Sequence, residues 1–239
     1  MIGADDQTVI LTSSCGFEVP VRIEINPRAR RLILRLDEKR REAVAVAPSK
    51  RLAKDAARFA RDRIDWAASR LRALPPQVRL ADGQTFRLRG MDCRISLDGP
   101  GRRARLLDGD PMTLSLPGDA GTIGRRAERF LKAEAREDLT RAVETYCGVL
   151  GVDVRRVSIK DTRSRWGSCT SDGRIAFSWR LIMAPPEVLD YVAAHECAHL
   201  LEMNHSPRFW AHVARCRPHW KRERAWLRKH GSDLHAVAA

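Results

Sequence analysis

The segment HECAHLLEMNHSP, residues 195–207, decides how this 239-residue chain is interpreted. Residues four positions apart share one face of an α-helix, so His195 and His199 are predicted to direct their imidazoles to one point. Glu196 lies about 100° further round the same turn, where its carboxylate can hold a water molecule without binding the metal. The pattern H-E-x-x-H is therefore typical of two metal ligands and a general base.

A third ligand is predicted in the turn that follows. Asn204 is expected to reverse the chain in the left-handed conformation that often ends a helix. Ser206 followed by Pro207 is typical of a new helix start. His205 would then fold back beneath the first two histidines. The spacing equals that of the metzincins, but Glu202 stands where their turn glycine would be, which argues against a metzincin proper.

The ligand set His195, His199 and His205 favours one Zn²⁺ ion per chain, because three neutral imidazoles leave a fourth position open for water. Other divalent transition metals could bind the same donors. The alternative is a binding module in which the metal has only a structural role. Glu196 argues against this alternative, because a structural metal site needs no base.

Composition limits the classes of protein that remain possible. No apolar run approaches the roughly 20 residues needed to span a bilayer, and residues 1–14 contain no basic residue, which argues against a secretory signal. The six cysteines are scattered without a C-x-x-C pair, a pattern that predicts reduced thiols in the cytoplasm rather than a disulfide framework.

The net charge of +14 is concentrated in part near the C-terminus, where residues 206–231 hold eight Lys or Arg residues against Glu223 alone. Such a segment could attract a nucleotide or nucleic acid. A solvated helix face is the favoured interpretation, because no aromatic-stacking or groove-reading motif accompanies the charge.

The periodicity of apolar residues predicts an α+β fold. A zincin-like catalytic domain, with helices packed on a small sheet or hairpin, is expected over residues 121–239. A β-rich N-terminal region with one long helix at 50–74 is expected over residues 1–120. The predicted elements of the catalytic domain are a long helix at 123–150, a β-hairpin at 157–179, a metal helix opened by Pro185-Pro186, and helices at 207–215 and 220–229.

The hairpin is the candidate substrate site, since an extended peptide can add to the edge of a sheet through main-chain hydrogen bonds. The Trp166 ring could provide a flat surface for the substrate, and Gly167 could leave the backbone edge accessible. Arg165, which precedes them, is a further candidate substrate-binding residue. Alternatively, Trp166 and Trp179 are core aromatics. Arg163, Arg165 and His212 are candidates for the donor that stabilises an oxyanion, although surface or packing roles are more common for such residues.

The stretch RWGSCTSDGRIAFSWRLIMAPPEVLDYVAAHECAHLLEMNHSPRFW, residues 165–210, resembles the YgjP-like family of metal-dependent hydrolases, relatives of the WLM and SprT-like zincin proteases. The likeness runs from about Arg155 to Leu227, and a weaker likeness reaches the N-terminal part through PRARRLILRL. The resemblance implies a zincin-type domain in which the three histidines bind the metal and Glu196 is the base.

Three functional hypotheses follow. The first is a metallopeptidase in which a metal-activated water, with Glu196 as base, attacks a peptide bond. The second is a metal-dependent nucleoside triphosphate pyrophosphohydrolase, against which no P-loop or carboxylate-rich magnesium site is found. The third is a DNA-associated protease of the SprT or WLM kind, docked through the basic C-terminal segment.

Overall fold

The computed structural model describes residues 7–38, 40–97, 103–162 and 165–238. It is a mixed α+β fold, as expected from the sequence. Two compact units divide the chain, Met1–Pro75 and Pro76–Ala239. No helix in the described ranges is long and apolar enough to cross a membrane.

The first unit is a four-stranded sheet followed by two helices. The strand order is β1-β2-β4-β3, with a parallel pair β2/β4 at the centre and an antiparallel strand on each side. Alternating small and branched apolar side chains of the central strands pack against the helices. The elements are β1 Gln7–Thr12, β2 Glu18–Ile25, β3 Ile33–Asp37, β4 Glu42–Ala47, α1 Ala53–Arg61 and α2 Ile64–Arg72.

The single helix expected at 50–74 is interrupted. A short 3-10 turn at Lys50–Leu52 precedes α1, and Arg63 leaves helical geometry with ψ of 15° before α2 begins. The break changes the direction of the chain, so that Ala56 and Ala60 of α1 and Leu71 of α2 all reach one core. A straight helix could not do this, because the apolar residues are unevenly spaced.

The second unit begins with a strand pair and a four-stranded sheet. β5 pairs in parallel with the C-terminal β13, and the sheet has the order β6-β7-β9-β8 with β7 and β9 parallel. These elements are β5 Val78–Arg79, β6 Thr85–Leu88, β7 Met91–Ser96, β8 Arg105–Leu107, β9 Met112–Ser115 and β13 Val237–Ala238.

The boundary between the two units lies at Pro75–Pro76. The sequence had predicted a boundary near residue 120. Phe86, Ile95 and Leu114 of the four-stranded sheet share a buried cluster with Leu131 and Leu139 of the long helix. Because these apolar surfaces cover one another, residues 76–116 belong with the helical part of the chain.

The helices of the second unit surround the candidate site. The long helix α3 covers Ile123–Leu150 as predicted, and Gly151 ends it in the left-handed conformation at φ 70°. Pro186 opens the metal helix as predicted, at a position where its missing N–H is not needed. The remaining helices are α4 Pro186–Ala198, α5 Pro207–Cys216 and α6 Trp220–His235.

The predicted hairpin at 157–179 is wrong in its pairing. β10 (Arg156–Lys160) runs parallel to β12 (Arg174–Ser178), and the turn at 170–173 instead joins β12 to a short antiparallel strand, β11 (Gly167–Cys169). β11 has three residues and begins with glycine, so it shows no alternating pattern in the sequence. The strand order β10-β12-β11 makes β11 an edge of this sheet.

Candidate metal centre

The metal helix ends close to its second histidine. Ala198 is the last residue of α4, and His199 is its C-cap with φ −65° and ψ −18°. The backbone N–H groups of Leu201 and Glu202 both donate to the Ala198 carbonyl, at 3.1 and 3.0 Å. His199 therefore keeps the helical direction of α4 while the chain after it turns away.

Asn204 makes the turn through its side chain. Its Oδ1 accepts a hydrogen bond from the Ser206 N–H at 3.0 Å, the geometry by which Asn mimics a backbone turn. The predicted left-handed conformation is wrong, because Arg41 and Arg89 are the non-glycine residues with positive φ in the described ranges. Ser206 is the N-cap of α5, as predicted, and its Oγ accepts from the Phe209 N–H at 3.3 Å.

This turn brings the three predicted ligands together. The ring nitrogens that His195, His199 and His205 offer to a metal lie within 4.8 Å of one another. Nε2 of His205 lies 3.1 Å from Nε2 of His195. The ring centroids are 4.9 to 5.0 Å apart, so the three imidazoles face a common centre.

The donor set fits a divalent transition metal. Nδ1 of His199 lies 3.1 Å from the Glu202 carbonyl. A hydrogen bond there fixes the tautomer and leaves the Nε2 lone pair for an ion. Nδ1 of His195 is buried without a hydrogen-bond partner in the described residues, while its Nε2 faces His205. Both rings therefore direct Nε2 to the centre, as a site with three imidazole ligands requires.

Phe209 supports the three rings and was not singled out in the sequence. Its fully buried ring lies 4.8, 4.5 and 4.7 Å from the rings of His195, His199 and His205. A sequence feature that could have identified Phe209 is its position three residues after the Ser206 cap. An apolar residue in the first turn of a helix is expected to face the core. Phe209 limits the rotamers of the ligands and excludes water from that side.

Burial keeps two of these imidazoles neutral. It lowers the pKa of His195 to about 3, and the charges of His199, His205 and Arg224 act in the same direction. Burial also lowers the pKa of His199, opposed by the Glu202 carbonyl. Neutral imidazole is the form that binds metal, so burial holds His195 and His199 in the form that a metal site requires.

The carboxylate of Glu196 lies under β11. Glu196 is 5% exposed, and burial raises its pKa from 4.5 to about 8, although the charge of Arg165 acts against this shift. A Cβ placed on Gly167 would lie 2.6 Å from Cγ and 2.7 Å from Cδ of Glu196. Such contacts do not occur between real side chains, so the glycine makes room for the carboxylate.

The other candidate residues have different surroundings. Arg165 is exposed, and its charge reaches Glu196. The Trp166 ring stacks on His235 at 4.1 Å, which makes it a packing contact with the end of α6. Trp179 is 1% exposed, as a core aromatic would be. Arg163 lies outside the described residues, and no ring contact, hydrogen bond or ion pair in the described ranges joins His212 to the three histidines.

Three converging imidazoles, the first on a helix that also carries a buried carboxylate, are typical of a metal-dependent hydrolase of the metallopeptidase class. The chain belongs to the YgjP-like family, whose model, described as the YgjP-like metallopeptidase domain, matches residues 30–230.

A solved structure with limited similarity is the metallopeptidase zymogen abylysin of Pyrococcus abyssi. The two chains share 21% identity with a TM-score of 0.36, over 42% of this chain and 99% of abylysin. No curated protein matches the sequence.

Proposed function

We propose that this protein is a zinc-dependent peptidase in which Glu196 is the general base. The observation that carries the proposal is the buried carboxylate of Glu196, which directly follows His195 on the metal helix and is not part of the set of three imidazoles that can bind one ion. A divalent ion bound there would polarise a carbonyl group and lower the pKa of a water molecule.

Glu196 is suited to proton transfer. Its carboxylate makes no hydrogen bond to a described residue, so both oxygens remain available to water and to the leaving nitrogen. Its pKa of about 8 describes the metal-free site, and positive charge at the three imidazoles would lower that value by favouring the ionised form. The carboxylate can then accept a proton from water and deliver it to the amine that leaves.

Strand β11 supports a peptide as the substrate. It pairs with β12 on one side and is the edge of its sheet in the described part of the chain. Its first residue, Gly167, contacts Glu196, so a peptide added along this edge would pass beside the base. Main-chain pairing at a sheet edge positions the scissile bond with little dependence on side chains. Arg165 and Trp166 precede this edge and are kept as candidate substrate contacts.

The other sequence hypotheses gain no support. In the described residues, no carboxylate cluster that would hold magnesium for phosphoanhydride chemistry accompanies the histidines. Family membership indicates a peptide substrate, and nothing in the site favours a nucleotide or DNA. The cytoplasmic location stays a prediction.

The test combines metal analysis with peptide cleavage. Purified protein loaded with zinc is incubated with a casein-derived peptide pool, and new termini are identified by mass spectrometry. We expect about one zinc per chain and cleavage that falls roughly 100- to 10,000-fold in Glu196→Gln, with zinc retained. Glu202→Gln is the matched control, because only the backbone carbonyl of Glu202 contacts a ligand. Full activity in Glu196→Gln would remove this residue from the mechanism, and zinc-loaded protein that cleaves no peptide would refute the peptidase.

A further inference from the structure

Helix α6 brings a guanidinium to the aromatic wall of the metal centre. The Arg224 Cζ lies 5.0 Å from the centroid of the Trp210 ring. The Trp210 ring lies 5.8 Å from the rings of both His195 and His205, and it stacks on Trp220 at 4.2 Å. Arg224 is therefore held over a ring that contacts two of the three predicted ligands.

This stack changes how the basic C-terminal segment is understood. The segment contains a stacked pair of aromatic rings, Trp210 and Trp220. The sequence did not reveal this pair, because the two residues are ten positions apart and meet only when α5 packs near α6. A cation over an aromatic face loses little freedom when it binds a ligand, because its position is already restricted.

Arg224 has no acidic partner in the described residues. Its neighbour Glu223 is paired with Arg217, which also bonds Asp190. Arg224 itself is exposed. An exposed guanidinium that is already positioned and unpaired is a typical receptor for a carboxylate.

The charges of the site point to the same ligand. Glu196 lies against Gly167 of β11, whereas Arg224 lies over Trp210 of α5, so the two groups are in contact with different elements. A carboxylate bound at Arg224 would therefore lie against a different element from the candidate base.

We propose that Arg224 binds a carboxylate of the peptide substrate, and that the enzyme selects peptides with a carboxylate close to the scissile bond. This inference rests on the proposed peptidase function. The carboxylate has two possible sources, the C-terminal α-carboxylate of a short peptide or an Asp or Glu side chain within a longer one.

The experiment uses one peptide that the zinc-loaded wild type cleaves, prepared in matched forms. One pair differs by Glu against Gln near the cleaved bond, and the other differs by a free against an amidated C-terminus. The enzymes are wild type, Arg224→Gln, Arg224→Lys and the control Arg228→Gln, which alters an exposed arginine one turn further along α6.

We expect the wild type to prefer the carboxylate form of one pair. Arg224→Gln should raise KM for that form roughly 10- to 100-fold, the loss of a charged hydrogen bond, while KM for the neutral form and kcat change little. Arg224→Lys should restore part of the preference, because lysine keeps the charge but not the planar fork. Arg228→Gln should behave as wild type. The peptide pair for which Arg224→Gln abolishes the preference for the carboxylate form identifies the source of the carboxylate.

Equal effects of Arg224→Gln on the acidic and neutral forms, or no effect on either, would overturn the proposal. Binding of matched acidic and neutral peptides, whether or not they are cleaved, to the zinc-loaded Glu196→Gln variant with and without Arg224→Gln, measured by calorimetry, separates this proposal from the peptidase. If no peptide is cleaved but binding still depends on the carboxylate and on Arg224, the peptidase function fails and the carboxylate site stands. If peptides are cleaved but binding ignores the carboxylate, only the proposal for Arg224 fails.

Discussion

Gly167 and Glu196 contact each other so closely that a side chain at position 167 would have to displace the carboxylate. A Cβ at position 167 would lie 2.6 Å from Cγ and 2.7 Å from Cδ of Glu196. The edge strand β11 and the metal helix α4 thereby meet at the candidate base.

We expect Gly167→Ala to reduce peptide cleavage about a hundredfold, because a displacement of about 1 Å at the base is enough for such a loss. Zinc content should not change, since the methyl group contacts Glu196 and not the histidines. The measurements are kcat/KM and zinc per chain.

Gly148→Ala is the matched control for that substitution. A Cβ at Gly148 meets no atom within 4 Å, and the residue lies in α3. Alanine there should stabilise the protein by about 0.5–1 kcal/mol and leave activity intact. Wild-type activity in Gly167→Ala would show that the close approach has no part in catalysis.

His205→Ala should weaken zinc binding by more than the roughly 10- to 100-fold effect of outer-shell changes, because a direct ligand is lost. His219→Ala removes an exposed imidazole elsewhere and should bind zinc normally. Competition with a chromogenic chelator measures both affinities. Equal affinities in the two variants would place the third ligand outside position 205.

Ser206→Ala should lower the free energy of unfolding by about 1 kcal/mol, the usual cost of a lost N-cap. The cap holds the start of α5 directly after His205, so zinc affinity should fall as well. Ser206→Asp should restore stability, because aspartate is also a good cap. Urea titration reports the first quantity and chelator competition the second. Unchanged stability in Ser206→Ala would mean that the bond to the Phe209 N–H contributes nothing.

The metal-free protein should lose stability as pH rises from 6.5 to 8. Glu196 has its pKa raised to about 8 in the folded state, so across this window the folded chain keeps a proton that the unfolded chain releases. The free energy of unfolding then falls with pH, by at most about 1.4 kcal/mol per unit.

Glu196→Gln should remove this decline, because glutamine does not titrate. His195 acts in the other direction at lower pH: its folded pKa of about 3 means that acid below pH 6.5 protonates the unfolded chain first and destabilises the fold. Comparison of wild type and Glu196→Gln between pH 6.5 and 8 therefore isolates the glutamate. Parallel curves in this window would contradict the buried, protonated carboxylate.

Much of the local structure could be predicted from the sequence. The helix at 123–150, the start of the metal helix at Pro186 and the cap at Ser206 depend on periodicity and on terminal residues, which act over a few positions. The unit boundary and the pairing of β11 could not be predicted in this way, because they depend on which apolar surfaces and backbone edges meet in the folded chain.

By itself the sequence determined the candidate chemistry. The spacing of His195 and His199 follows from the helical repeat, and His205 follows from a turn of only a few residues, so short-range geometry was enough. Tertiary structure alone decided what surrounds these groups: Phe209 beneath the rings, Gly167 against Glu196, and Arg224 over Trp210. The reason is physical, because each of these contacts joins elements that are separate in sequence and meet only when the helices and the edge strand bury a common core.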